Sequence, residues 1–397
     1  MIVAETAIGR MTRKSPVGAF KSFGKKKWLS FGGWINAVIP VLIVPYYSVI
    51  GGWVIKYLVE YFRGNAKLLA EDGYFTDFIS NGVSTELCFV AFCAFTLIII
   101  FAGVQNGIER VSKIMMPILI VLSVIIAVYS VTRPGALAGV KYFLVPNVKN
   151  FSWMTVVAAM GQMFYSLSIA MGILITFGSY MKKDTAIEDS TRNVEIFDTG
   201  IAIMAGLMII PAVFAFSGGD PDTLQAGPSL MFITIPKVFQ NMGFGTVIGI
   251  VFFLLVLFAA VTSSIALTES AVSTFEDELG WGRKKATVLV GVIMLALGSL
   301  SSLGYGPLAG IKIIGMQFLD LFDFLTNSVM MPIAALLTSL FVSRVVGIDK
   351  IEAEIIHGES AFRRKKVFVV MIKYLCPVFA IIILLSSVAN ALGWIKM

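Results

Sequence analysis

Nine stretches of this chain are apolar over roughly 20 residues, the length a helix needs to cross the hydrocarbon core of a bilayer. They cover residues 28–62, 84–103, 114–132, 152–180, 188–217, 243–275, 286–303, 313–342 and 367–391. Lipid cannot hydrogen-bond an open peptide group, so such runs must fold as helices. Composition agrees: 57% of the residues are hydrophobic and only 14% charged, against about half and about a quarter in a soluble domain. The sequence predicts an all-α, polytopic membrane protein. A single transmembrane domain is expected over residues 1–397, with about nine full spans and a half span at 1–12.

The formal charge of +7 does not point to nucleic acid, because its placement follows the membrane. Basic loops hold Arg10, Arg13, Lys14, Lys21, Lys25, Lys26 and Lys27; Arg110 and Lys113; Lys182 and Lys183; Arg283 to Lys285; and Arg363 to Lys366. The loops between them, such as 64–82 and 218–236, carry few cations and several acids. Cytoplasmic loops concentrate Lys and Arg. The basic loops are therefore expected in the cytoplasm of a cell with this protein in its inner membrane, and the chain end after residue 391 on the outside.

Cys88, Cys93 and Cys376 lie in apolar runs without a CxxC spacing, which fits buried thiols better than a disulfide or a metal site. His357 is the one histidine and sits in a polar loop, leaving His-based catalysis and zinc chemistry without material. The start, "MIVAETAIGRM", is too short to span and has no cleavage signal. It reads as the inner half of a helix, with an interfacial or re-entrant segment as the alternatives.

One run is unusual. In "GQMFYSLSIAMG" (161–172), Ser166, Ser168, Ala170 and Gly172 interrupt a span that aliphatics would make steadier. Small residues in membrane helices commonly mark close helix packing. They also suit an interrupted helix, in which hydroxyls replace lost backbone bonds and Gly permits unusual dihedrals. A broken helix at membrane depth exposes carbonyls and amides that can hold a charged solute. From the residues alone, both readings stand.

Several stretches, in order along the chain, resemble the neurotransmitter:sodium symporter family, in particular its bacterial amino-acid members of the LeuT type. They are "AETAIGR" (4–10), "VPYYSVIGGW" (44–53), "GIERVSKIMMP" (107–117), "GQMFYSLSIAMG" (161–172), "GPSLMFITIPKVF" (227–239), "FAAVTSSIALTE" (258–269) and "FEDELG" (275–280). The resemblance implies an inverted-repeat transporter fold whose sixth-span helix, residues 152–180, is broken. It aligns the chain with the family's spans three to eleven and the end of its second.

The resemblance also assigns roles residue by residue. Ile43, Tyr47, Tyr165, Ser166, Ser168, Met171, Ser263 and Leu267 would surround the substrate. Ser166, Asp198, Thr262, Ser263 and the carbonyl of Ala259 would ligate Na⁺. Tyr47 and Asp323 would form the outer gate, and Asp277 with Tyr180 the inner one. Glu5 and Gln162 would support the break. The residues themselves leave alternatives: Thr262 could back-bond to its preceding turn, and Asp198 could pair with Arg192. Without the family's gate arginines, Asp277 would be solvated and Asp323 unpaired. Glu5 could be frayed.

An acid within a span costs about 2.5–3.5 kcal/mol on insertion scales and marks a partner or a function. Asp198 takes a place where many relatives have a Na⁺-coordinating Asn. Animal members use chloride to compensate Na⁺ charge, so the resemblance implies chloride-independent symport. Neither charge rings nor repeated filter loops argue for a channel, and no catalytic set argues for an enzyme. The expected function is Na⁺-coupled symport of a hydrophobic or aromatic amino acid. Its alternative is a non-transporting remnant.

Overall fold

Each of the nine apolar runs is helical. The half-length α1 (Ile2–Thr12) leads through α2 (Pro16–Lys21) into α3 (Lys27–Phe62). Then come α4 (Gly82–Phe101), α5 (Arg110–Val131), the half helices α6 (Trp153–Ser166) and α7 (Ile173–Tyr180), and α8 (Ile187–Ser217). A short α9 (Ile235–Gln240) precedes α10 (Gly245–Leu279) and α11 (Arg283–Leu303). Next, α12 (Phe318–Asp323) continues through a π-helical segment, Phe324–Met330, into α13 (Met331–Phe341). After α14 (Ile348–Ile356), α15 (Lys365–Val370) runs through a second π segment, Met371–Leu375, into α16 (Cys376–Ala391).

This computed structural model describes residues 1–24, 26–220, 224 and 227–391. Lys25 and the chain end expected on the outside lie outside the described residues. Among the described residues, eight helical runs are long and apolar enough to cross a membrane. The α6–α7 pair covers the remaining apolar run. No β-strand forms among them, only an isolated bridge between Ile313 and Met316.

The helix α3 is the centre of the molecule, packed on α4, α10 and α11. Two thirds of its apolar window, 67%, is buried, against 28% for the runs ending at Val131 and Ser217. Those two turn most of their surface to lipid. Pro40 and Pro45 lie inside α3, where a proline leaves a carbonyl one turn back without its amide donor. The second immediately precedes Tyr46 and Tyr47.

The pair α1 and α7 cross tightly. A Cβ added at Gly178 would lie 2.5 Å from the Thr6 carbonyl oxygen, so only glycine permits this approach. Between α6 and α7 the helix is broken over residues 167–172. Three of these have left-handed backbone: Ser168 (φ 53°), Ala170 (φ 61°) and Gly172 (φ 71°). Such φ values cost a non-glycine residue on the order of 1–3 kcal/mol each, so surrounding structure must hold the turn open.

Arg10, placed by the sequence in a basic loop, is instead fully buried at the end of α1. Its Nε donates to Glu354 Oε1 at 2.8 Å and its Nη1 to the Thr185 carbonyl at 2.5 Å, while Nη2 reaches the Glu354 carbonyl. Lys183 adds an ion pair to Glu354 at 3.1 Å. Glu188 accepts the backbone amides of Arg363 and Arg364 at 2.9 and 3.0 Å. The segment around α14 is thus fastened over the ends of α1 and α7, because charges this deep persist only when paired and hydrogen-bonded.

Candidate functional site

A capping box starts α6, in which Ser152 and Thr155 satisfy one another's backbone amides. The helix ends at Ser166, where Ser168, Ala170 and Gly172 alternate with larger apolar residues. The Ala170 amide, freed by the break, donates to Glu5 Oε1 at 3.0 Å. Glu5 is wholly buried within α1, so it is not frayed. The supporting role given to it by resemblance has a defined contact. Gln162 is exposed on α6, one turn before Ser166.

The hydroxyl of Ser166 donates to Asp198 Oδ1 on α8 at 2.5 Å. A charge-assisted bond of this length is among the stronger ones. Arg192 does not pair with Asp198; its partner is Asp189, one turn along the same helix, at 3.5 Å. The structural ion pair weighed for Asp198 is therefore not formed, and its carboxylate addresses the break instead.

On α10 the candidate ligands Ala259, Thr262 and Ser263 fall within about one turn. Thr262 donates back to the Phe258 and Ala259 carbonyls at 3.1 and 3.0 Å, so Thr262 and Ala259 engage each other in the manner of a polar residue in an ordinary helix. Ser263 is exposed, and the Tyr47 hydroxyl lies beside it. Ile43, Met171 and Leu267 are buried at 0%, 3% and 5% exposure. They belong to one apolar cluster against which Tyr47 and Tyr165 pack. Ser168 is half-buried in the break itself.

The residues assigned by resemblance to the gates have other partners. Asp323 is no unpaired acid: its Oδ1 accepts from Tyr46 at 3.1 Å and from Asn327 Nδ2 at 2.5 Å. Tyr46 also neighbours the Tyr165 hydroxyl. Asp277 is not merely solvated either, since it accepts the Ser15 amide at 2.5 Å at the cap of α2. Tyr180 does not meet Asp277. Its hydroxyl donates to Glu269 Oε1 at 2.7 Å. Glu269 also takes a two-pronged bond from Arg283, at 3.0 and 2.6 Å, so Arg283 too has left its loop for an ion pair.

Sequence reasoning missed Tyr46, Glu269, Arg10 and Glu354. For Glu269 a signal existed, because an acid inside "SIALTESA" is as unusual at membrane depth as Asp198. For Tyr46 the signal was its place beside Tyr47 and after a helix-interior proline. Arg10 and Glu354 are 344 positions apart, and no local pattern joins them.

The site thus offers hydroxyls, carbonyls and carboxylates around an opened backbone, next to an apolar wall. Hard oxygen donors of this kind suit alkali and other hard cations. Comparison with known proteins points the same way. Residues 75–394 match the model of the "Sodium:neurotransmitter symporter family". An uncharacterized sodium-dependent transporter of Bacillus subtilis is 33% identical over 392 residues, covering 98% of this chain and 86% of the relative. Another from Haemophilus influenzae is 30% identical over 404 residues, covering 98% and 86%. A crystal structure of MhsT in complex with L-phenylalanine superposes with a TM-score of 0.85 at 33% identity, over 97% of this chain and 87% of that one. Relatives aligned over nearly the whole chain lend no support to the remnant alternative. Nor is the chain an enzyme of the membrane: it belongs to the sodium:neurotransmitter symporter family and is built on the LeuT-type transporter fold.

Proposed function

We propose that this chain, acting as one membrane domain, carries an apolar or aromatic amino acid together with Na⁺ by alternating access, and does so without chloride. The observation that carries this reading is the opened turn at 167–172, with Ser166 bonded to the Asp198 carboxylate at 2.5 Å. Na⁺ is a co-substrate here. Entering beside Ser166, it meets a fixed negative charge that compensates its own, which removes the need for an anion. A second Na⁺ site on α10 uses the lone pairs that Thr262 Oγ1 and the Ala259 carbonyl keep while they are hydrogen-bonded to each other, beside Ser263.

The amino acid spans the break. Its ammonium group is attracted to the carbonyl end of α6, and its carboxylate to the amide end of α7 and the Tyr47 hydroxyl. Its side chain is taken up by Ile43, Met171 and Leu267, a wall that selects apolar groups by excluding water. In the membrane the basic loops face the cytoplasm. That puts Tyr180, Glu269 and Arg283 at the inner mouth and Asp323 at the outer one.

The test is binding of radiolabelled phenylalanine, leucine and lysine to the purified chain, with uptake into proteoliposomes. Saturable binding of the first two, lost when K⁺ replaces Na⁺ and unchanged when gluconate replaces chloride, is expected. Binding that ignores Na⁺ overturns the coupling. Binding that needs chloride overturns the role given to Asp198.

A further inference from the structure

Tyr46 lies outside every role assigned so far, yet it adjoins residues of both the broken helix and the π-helical one. It is 2% exposed, and its hydroxyl has two oxygen neighbours on the α12 side: Asp323 Oδ1 at 3.1 Å and Thr326 Oγ1 at 3.4 Å. The Thr326 hydroxyl already donates to the Phe322 and Asp323 carbonyls, at 2.7 and 3.2 Å. The single phenolic proton of Tyr46 therefore goes to the carboxylate. Asn327 Nδ2 donates to the same carboxylate oxygen.

The geometry has a backbone cause. Asp323 is the last residue before the π-helical segment Phe324–Met330. A π turn holds more residues than an α turn and is frequently found at functional positions. Here it brings Asp323, Thr326 and Asn327 together against one phenol. On its other side Tyr46 adjoins Tyr165, the residue before Ser166 at the end of α6. A single rigid side chain on the central helix thus joins the broken helix to the π-helical one.

We propose that Tyr46 is a positioning residue for substrate retention. It fixes the Asp323 carboxylate, and with it the α12 side of the pocket mouth, relative to the broken helix, without itself touching the solute. This inference rests on the amino-acid reading of the site. Removing the hydroxyl alone, in Tyr46→Phe, leaves the ring packing in place and frees Asp323 to swing away. The bound amino acid then escapes more easily.

In the purified chain, Tyr46→Phe is expected to raise the Kd for Na⁺-dependent phenylalanine binding by about tenfold, the lower end for losing a hydrogen bond to a charged group. Asp323→Asn is expected to do the same. The double variant should be no worse than either single one, since both remove one interaction. Tyr61→Phe is the control: that hydroxyl, on the same helix, is buried with no hydrogen-bond partner among the described residues, and its loss should leave Kd unchanged.

A second readout needs no substrate. With Cys88, Cys93 and Cys376 replaced by Ala, a Ser263→Cys probe is labelled by a thiol reagent in detergent. Tyr46→Phe should speed labelling by about tenfold, the same lower end for loss of a bond to a charged group, and Tyr61→Phe should not. Wild-type protein that fails to bind phenylalanine, together with faster labelling in Tyr46→Phe, overturns the functional reading and keeps the positioning role. Unchanged labelling in Tyr46→Phe, or an unchanged Kd where wild type binds, overturns the positioning role.

Discussion

Two polar regions of this molecule are built on opposite plans. At the break, Ser166 and Ser263 are exposed, and Ser166 has Asp198 as its bonded partner. At the base of α1, Arg10 is wholly buried and Glu354 only 4% exposed. Three guanidinium nitrogens and the Lys183 ammonium are engaged there. The first region can exchange a protein partner for a ligand at low cost, since its groups stay within reach of water. The second cannot release a partner without leaving a charge stranded in low dielectric. One is arranged to change hands and the other to stay shut.

The contrast breaks down most visibly at Glu354. In Glu354→Ala, Arg10 keeps its burial and loses its carboxylate, which costs about 3–5 kcal/mol for an uncompensated charge. Expression and melting temperature in detergent, followed by size-exclusion chromatography on heating, are expected to fall sharply. Replacing both partners by apolar residues, Arg10→Met with Glu354→Leu, should recover much of that loss. A Glu354→Ala chain as heat-stable as wild type would remove the distinction altogether.

Asp198→Asn probes the exchangeable region. The amide keeps an oxygen for Ser166 and removes the charge, so stability should change by less than about 1 kcal/mol, as for one partly solvated bond. Na⁺ affinity, read as the Na⁺ concentration for half-maximal phenylalanine binding, should weaken about tenfold or more, and chloride should now assist. A variant that loses stability and keeps its Na⁺ response would assign Asp198 to the structure.

The smallest effect is expected at Asp72, which pairs with Lys237 near α9 and is exposed. The hydrogen bond from Lys237, and then its charge, hold the Asp72 carboxyl below its usual range. A lowered carboxylate pKa stabilises the fold above the unfolded value and loses that contribution as pH falls through the folded one. Asp72→Asn should therefore be slightly less stable at pH 7, and the difference should vanish only as pH falls below the lowered folded pKa of Asp72. High salt should erase the difference as well.

How far the sequence could be read follows from what lipid demands. Crossing helices are legible because an apolar run has no other way to satisfy its backbone. Among the described residues eight of the runs appear as candidate spans and the other as the pair of half helices α6 and α7. The break was legible as a choice between two readings, and the family signature decided it. The partner of Tyr180 was not legible. Glu269 and Asp277 lie on one helix, two turns apart, and only the tilt of α7 against α10 selects the first. Thr262 shows a similar limit, because a hydroxyl that back-bonds to its own helix keeps lone pairs for a ligand, so the residue type does not tell the two roles apart. The Arg10–Glu354 pair was hidden by distance along the chain, although each residue was visible as a charge near a span end.

The peptide group at Ala170 is held by a carboxylate 165 positions upstream. The aperture between the two half helices is therefore not a property of its own residues, and grafting 161–180 into a foreign bundle would transfer the letters without the fastening. Displacing the first helix, even by a side chain's width, would re-aim a main-chain donor in the middle of the permeation route.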